Sequence, residues 1–102
     1  MERDLNLIRE IVLDLRTHGY RTSDYGQPRS VVDYHMWLLY DGGLVEGGLH
    51  LTETGREFAD LARSDTVWKK AWKRARERGM ESDVSFPVFL DLLKHFRQRE
   101  AA

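Results

Sequence analysis

The sequence predicts a mainly α-helical chain with a small β-hairpin, and three observations support this. Apolar residues recur at intervals of three and four in several segments, which is the spacing of amphipathic helices. Apolar and polar residues alternate on either side of Gly47-Gly48, as in two short strands joined by a tight turn. Glycine, serine and threonine stand at the ends of the helical segments, where they commonly act as caps.

The first helix is predicted over residues 2–18, and Gly19 follows it as a left-handed C-cap. Leu7 and Leu13 lie off its main apolar stripe, so we expect this helix to have neighbours on more than one side. The main stripe consists of Leu5, Ile8, Ile11, Val12 and Leu15.

A second helix is predicted from residue 29 or 30 to residue 41, and Gly42-Gly43 ends it. Residues 20–28, which precede it, are predicted to be irregular because turn-forming residues cluster there. The residues expected on the inner face of the helix are Val32, His35, Met36 and Leu39.

A two-residue turn at Gly47-Gly48 is predicted to join the strands of the hairpin, and three more helices follow. Thr52 is the predicted N-cap of the first of these helices, with Thr54 and Glu57 as an alternative capping box. Ser64-Asp65 is predicted to cap the second helix and Ser85 the third. Their expected inward residues are Phe58, Leu61 and Ala62, then Trp68, Ala71, Trp72 and Ala75, then Phe86, Phe89, Leu90, Leu93 and Phe96.

This order of elements is that of a winged helix-turn-helix followed by extra helices. A helix that ends in a glycine turn, a tight hairpin and another helix form the second half of such a core. Residues 20–28 are too few for a full middle helix, so that helix is shortened or replaced by a loop. We therefore predict one domain, 1–102, with a winged-helix core at 1–63 and a C-terminal helical extension at 64–102.

Several stretches resemble a known family. Residues 34–45, YHMWLLYDGGLV, are similar to the YHLxLLxxAGLI stretch of small winged-helix proteins, and residues 51–58, LTETGREF, to the LTxxGxxFL after their wing. With residues 1–9 and 65–68, they resemble the YjcQ-like family of unknown function, whose short members are common in bacterial and phage genomes. The resemblance covers roughly residues 1–78 and implies the winged-helix fold, but no activity and no catalytic residues.

Composition narrows the classes of function. The chain has no cysteine, which excludes disulfides, thiolate metal sites and a cysteine nucleophile. Its four histidines have no metal-site spacing and no catalytic motif stands out, so we expect a protein without enzymatic activity, cofactor or metal. No apolar run is long enough to span a membrane and the N-terminus lacks a secretory signal, so we expect a soluble, cytoplasmic protein.

Charge is nearly balanced overall but concentrated locally. The formal net charge is -1, which gives no global electrostatic case for nucleic acid. Residues 65–78, however, contain six bases and two acids. This segment is interpreted as a solvated helix face, a phosphate-binding face or a surface for an acidic protein. Its bases are Lys69, Lys70, Lys73, Arg74, Arg76 and Arg78.

The second helix would enter the major groove if the chain bound DNA as winged helices usually do. Base readout normally uses several Arg, Lys, Asn or Gln side chains, and this helix offers Arg29 alone among outward aspartates and aromatics. The wing, with only Gly47-Gly48 at its tip, is too short to reach far into a minor groove. The helix is alternatively interpreted as a core-packing helix with a partner-facing aromatic surface that includes Trp37 and Tyr40.

Two functions follow as hypotheses. The first is a DNA-binding transcription regulator, which contacts double-stranded DNA through Arg29, Lys69, Lys70, Lys73 and Arg74. The second is a non-enzymatic protein-interaction module, an adaptor or phage-encoded inhibitor, which binds its partner through Trp37 and Tyr40. Under either hypothesis a homodimer is a further expectation, formed through Phe86, Phe89 and Phe96.

Overall fold

The computed structural model describes residues 2–47, 50–80 and 84–101, which form five α-helices and one antiparallel two-stranded hairpin. The mainly helical fold with a small hairpin is therefore confirmed. Gly48 of the predicted turn and Leu49 of the predicted strand lie outside the described residues. The elements are α1 (Leu5–His18), α2 (Arg29–Asp41), β1 (Val45–Glu46), β2 (His50–Leu51), α3 (Glu53–Ala62), α4 (Asp65–Glu77) and α5 (Phe86–Ala101).

Helix α1 begins later than predicted because Asp4 caps it. The Asp4 carboxylate accepts hydrogen bonds from the backbone N–H groups of Asn6 at 2.9 Å and Leu7 at 3.2 Å. At the other end, Gly19 adopts φ 79°, as expected of a left-handed C-cap. Leu7 is buried and Leu13 is partly buried, which confirms that α1 has neighbours on more than one side.

The three predicted hydroxyl caps are confirmed. Thr52, Ser64 and Ser85 each accept a hydrogen bond from the backbone N–H three residues further on, at 3.0, 3.2 and 3.3 Å. Each bond satisfies one of the N–H groups that the first turn of a helix leaves without an intrahelical partner. These local signals therefore fix where the last three helices begin.

The hairpin is confirmed, but its connection is not the predicted two-residue turn. Val45 pairs with Leu51 and Glu46 with His50, so residues 47–49 separate the strands. This register sets the buried Val45 and Leu51 opposite each other and leaves Glu46 and His50 exposed. A two-residue turn would have set a buried residue opposite an exposed one, because side chains of paired residues share a face.

Apolar side chains from all five helices and both strands form one continuous core among the described residues. Helix α1 packs on α2 and α3, α4 packs on α5, and α3 contacts both α4 and α5. The ring of Phe58 lies 6.1–6.2 Å from the rings of Trp68, Phe86 and Phe89. All predicted inward residues are buried except for four at the edge of the core, which are partly buried: Met36, Leu61, Trp72 and Phe96.

Two glycines permit close approaches between elements. A Cβ at Gly55, in the first turn of α3, would clash with the backbone carbonyl oxygen of Leu44, which precedes β1. A Cβ at Gly42, after α2, would clash with the ring of Phe86 at the start of α5. The hairpin is thereby seated on α3, and the end of α2 on the start of α5.

The irregular segment 20–28 is held to α1 by one carboxylate. Asp14, whose side chain is 8% exposed, accepts hydrogen bonds from the Thr22 N–H at 2.7 Å, the Thr22 hydroxyl at 2.6 Å and the Tyr25 hydroxyl at 2.5 Å. His18 Nδ1 lies 2.9 Å from the same carboxylate. Burial alone raises the pKa of Asp14, but these hydrogen bonds outweigh it and hold the pKa below its ordinary value.

His35 is fully buried on the inner face of α2, as predicted. Its Nε2 accepts a hydrogen bond of 2.8 Å from the Asp4 N–H, and its Nδ1 lies 2.7 Å from the Val31 carbonyl oxygen. A backbone N–H only donates and a carbonyl only accepts, so the neutral ring carries its proton on Nδ1. Both ring nitrogens are satisfied, and the ring joins α2 to the start of α1.

Candidate nucleic-acid interface

Helix α4 presents two different faces along its length. Trp68, Ala71 and Ala75 turn into the core. A second stripe, at positions 70, 73, 74 and 77, faces the C-terminal half of α5, because residues three and four apart share one side of a helix. The sequence order thus places the charged stripe on a different side of the helix from the core residues.

The charged stripe and α5 line an open groove of ≈ 340 Å³, here named the α4–α5 groove. Four bases line it, three from α4 and one from α5, together with one acid and one aromatic ring. The lining residues are Lys70, Lys73, Arg74, Glu77, Phe96 and Arg99. Bases from two helices therefore face one concave surface, which favours an anionic ligand.

Ion pairs at the groove are long and solvent-exposed. Lys70 Nζ lies 3.5 Å from Glu100, and Arg74 Nε lies 3.8 Å from Glu77. Such pairs contribute little to stability, so an anion that binds the basic side chains more tightly can displace the glutamates. Within the part of the chain that the structure describes, Lys73 and Arg99 form no ion pair.

The guanidinium of Arg74 lies over the ring of Phe96, with its central carbon 5.5 Å from the ring centroid. Phe96 is partly buried, so its inner side packs on the core while the groove borders the rest. This stack orients a planar cation toward the groove.

The structure separates the other two predicted bases from the groove. Lys69 is exposed on α4 but does not line the groove. Arg29 is on α2, where its side chain is 86% exposed and its Nε lies 3.8 Å from Asp33. Since α2 packs on α1 and β1, whereas α4 packs on α3 and α5, the five predicted bases do not form one surface.

Arg99 is the base that the sequence does not single out. It follows the last predicted inward residue of α5, and only the packing of α5 on α4 brings it to the groove. Its spacing of three from Phe96 is the one sequence signal that places both on the same side of α5.

A second surface lies on α2. Trp37 and Tyr40 are 57% and 62% exposed, and the Tyr34 ring stacks on Trp37 with centroids 6.5 Å apart and planes 20° apart. We name Tyr34, Trp37 and Tyr40 the aromatic surface of α2. By contrast, Tyr25 is partly buried beneath the segment that follows α1.

The three phenylalanines expected to support a dimer are mostly inside the molecule. Phe86 and Phe89 are buried in the core, and Phe96 is partly buried. A homodimer therefore cannot use Phe86 or Phe89 without unpacking the core, and dimerisation stays a prediction for the remaining surface.

A protein-family model described as Hypothetical protein (DUF2513) matches residues 2–81. The chain belongs to this uncharacterised family. Its relation to the YjcQ-like family stays a prediction, because the matched model has a different description. Neither the curated proteins nor the solved structures contain a match.

The DUF2513 match includes α1 to α4 and ends before α5. One wall of the α4–α5 groove therefore lies inside the matched segment, and the wall that contains Phe96 and Arg99 lies outside it. None of the helices described in the structure is both long and apolar enough to cross a membrane. Residues 2–47, 50–80 and 84–101 likewise contain no group of three or more side chains suited to hold a metal ion.

Proposed function

We propose that this DUF2513 protein is a nucleic-acid-binding regulator that contacts phosphates through the α4–α5 groove. The convergence of Lys70, Lys73 and Arg74 with Arg99 on one groove is the observation that carries the proposal. Lysine and arginine contacts to phosphates supply a large share of nucleic-acid affinity and are independent of sequence.

We further propose that residues 1–63 are a winged-helix core. The order α1, loop, α2, hairpin and α3 supports this, with Asp14 holding the loop at the place of the missing helix. The usual reading helix would be α2, but its base Arg29 lies beside Asp33, and apart from Ser30 its other exposed side chains are aromatic or acidic. Affinity is accordingly proposed to come from phosphates and not from base edges.

Titration of labelled DNA, followed by fluorescence anisotropy at about 50 and about 200 mM salt, tests this proposal. We expect Lys73→Gln to weaken binding and to make the salt dependence shallower, because one phosphate contact is lost. Arg29→Gln is the matched control, since it removes an exposed base from α2 and should leave binding unchanged. Absence of binding at low micromolar protein and the lower salt concentration would show the proposal to be wrong.

The aromatic surface of α2 favours a second function, that of a protein-interaction module. Tryptophan and tyrosine side chains dominate binding hot spots, and the rings of Tyr34 and Trp37 lie nearly parallel on this surface. A pull-down from host extract with the wild type, Trp37→Ala and Lys73→Gln, analysed by mass spectrometry, tests it. A protein retained by the wild type and Lys73→Gln but lost with Trp37→Ala would support this function.

A further inference from the structure

We infer that the α4–α5 groove takes single-stranded nucleic acid in preference to a duplex. The inference rests on the proposed function and adds the class of nucleic acid that the groove accepts. Three properties carry it: the shape of the groove, the distribution of charge on its walls, and the aromatic ring between them.

The shape of the groove is the reverse of what a duplex requires. Elements that read duplex DNA protrude, because a helix or a two-stranded ribbon must enter the major groove. Here the bases instead surround a recess between two helices. Its volume of ≈ 340 Å³ is close to the lower end of the range of about 300–1,000 Å³ for small-ligand pockets, so it suits a short piece of one strand.

Charge is placed on both walls of this recess. Lys70, Lys73 and Arg74 stand on the α4 side, and Arg99 stands on the α5 side. A single sugar-phosphate backbone that lies along the groove meets basic side chains on both walls. A duplex that rests on the rims reaches only the outermost of these side chains. A positively charged groove that follows one backbone is the usual arrangement for single-stranded nucleic acid.

Phe96 supplies the third component, because its ring supports the Arg74 guanidinium that lies over it. The inner side of the ring packs on the core, so an unpaired nucleobase stacks on the guanidinium plane that the ring holds in place. In a duplex the bases are already stacked on one another, so this contact is available to unpaired bases only.

Helix α2 does not provide the alternative route to a duplex. Its base Arg29 lies 3.8 Å from Asp33, and the helix ends at Asp41. The side chains between these ends that reach solvent include Trp37 and Tyr40, which present apolar rings and not a set of base-edge donors.

The test compares three labelled oligonucleotides of about 12 nucleotides, a length within the usual site size for one binding fold. These are single-stranded oligo-dT, single-stranded oligo-U and the dA·dT duplex, each titrated with the full chain at two salt concentrations. We expect at least one single strand to bind about tenfold more tightly than the duplex. Oligo-dT and oligo-U together show whether DNA or RNA is the better single strand.

Two variants separate charge from stacking. Arg99→Gln should weaken single-strand binding and lower the salt slope by about 0.7, the value for one phosphate contact. Phe96→Leu keeps an apolar side chain at the edge of the core and removes the ring, so it should weaken binding while leaving the salt slope unchanged. Circular dichroism of both variants checks that the fold is retained, and Arg29→Gln is the control.

The outcomes distinguish the inference from the proposed function. Duplex binding as tight as, or tighter than, both single strands would overturn the inference and leave the proposed function in place. Failure of all three oligonucleotides to bind would overturn both. Single-strand binding that is insensitive to both Arg99→Gln and Phe96→Leu would locate the site elsewhere. It would overturn the inference and also the proposed use of the α4–α5 groove, while nucleic-acid binding itself would stand.

Discussion

In the region that contains α1, α2 and the hairpin, two polar side chains turn inward and two aromatic side chains of α2 turn outward. The Asp14 carboxylate and the His35 ring are nearly or fully buried, and each is satisfied by hydrogen bonds, Asp14 to the segment after α1 and His35 to the start of α1. Trp37 and Tyr40 meanwhile face solvent. In the pair α4 and α5 the arrangement is reversed, with aromatic rings inside and bases outside.

The rings of Trp68 and Phe89 illustrate the second arrangement, since they meet inside the core with centroids 4.9 Å apart. Apolar packing tolerates small shifts at a cost proportional to area, whereas a buried polar group without its partner loses its full hydrogen-bond energy. We therefore expect the first region to be destabilised most by the loss of a few specific hydrogen bonds. We expect the second region to be destabilised most by the loss of packed side-chain volume. The outer surfaces differ as well, since aromatic rings are exposed on α2 and basic side chains on α4.

The substitution with the largest expected effect, Phe89→Ala, tests whether the two regions unfold together. Phe89→Ala removes a fully buried ring that packs on both α3 and α4, so we expect a loss of about 3–5 kcal/mol in the free energy of unfolding. Urea unfolding followed by circular dichroism and tryptophan fluorescence should show a single transition at lower urea. Two separate transitions would mean that α4 and α5 unfold independently of the rest.

Gly55→Ala examines the joint between the hairpin and α3. A methyl group there meets the Leu44 carbonyl oxygen, a backbone atom that cannot move aside alone, so we expect a loss of about 2 kcal/mol despite the better helix propensity of alanine. Gly47→Ala is the control, because nothing lies within 4 Å of a Cβ at that position. Thermal unfolding of both variants measures the difference, and equal midpoints would contradict the close approach.

Asp14→Asn tests the polar anchoring of the first region, and its effect on the free energy of unfolding should depend on pH. The folded-state pKa of Asp14 is lowered, so its contribution is present at neutral pH and disappears as the pH falls through that folded pKa. We expect the variant to be about 1–2 kcal/mol less stable at pH near 7, with the gap closing below pH of about 4. Urea unfolding at both pH values measures it, and a gap that does not change with pH would exclude the charged form as the anchor.

Trp37→Ala should have the smallest effect on stability. The side chain is more than half exposed, so we expect the free energy of unfolding to change by no more than about 0.5 kcal/mol. A large loss in thermal unfolding would show that the aromatic surface of α2 contributes to the fold, and would weaken the contrast between the two regions.

Local signals in the sequence predicted the elements well. Gly19, Thr52 and Ser64 act within one turn of their own position, so the helix ends can be recognised without knowledge of the fold. The hairpin register could not be obtained in this way. It depends on which faces of Val45 and Leu51 meet the core, and that is decided by α2, which packs on β1, and by α1 and α3, which pack on β2.

The site could be predicted only in part for the same reason. Lys70, Lys73 and Arg74 were recognisable as a basic stripe because they belong to one helix. Arg99 reaches them only through the packing of α5 on α4. In the same way, the Asp14 bonds to Thr22 and Tyr25 join α1 to an irregular segment, for which no helical or strand period predicts a partner.

The contact between Gly42 and Phe86 gives α5 a mechanical role. This helix has 16 residues and is therefore about 24 Å long, with one end seated on the turn after α2 and the other forming a wall of the groove. A ligand that tilts α5 in the groove would shift the support beneath the end of α2, two residues from Tyr40. Thermodynamic linkage would then require a partner on α2 to change affinity in the groove by the same factor.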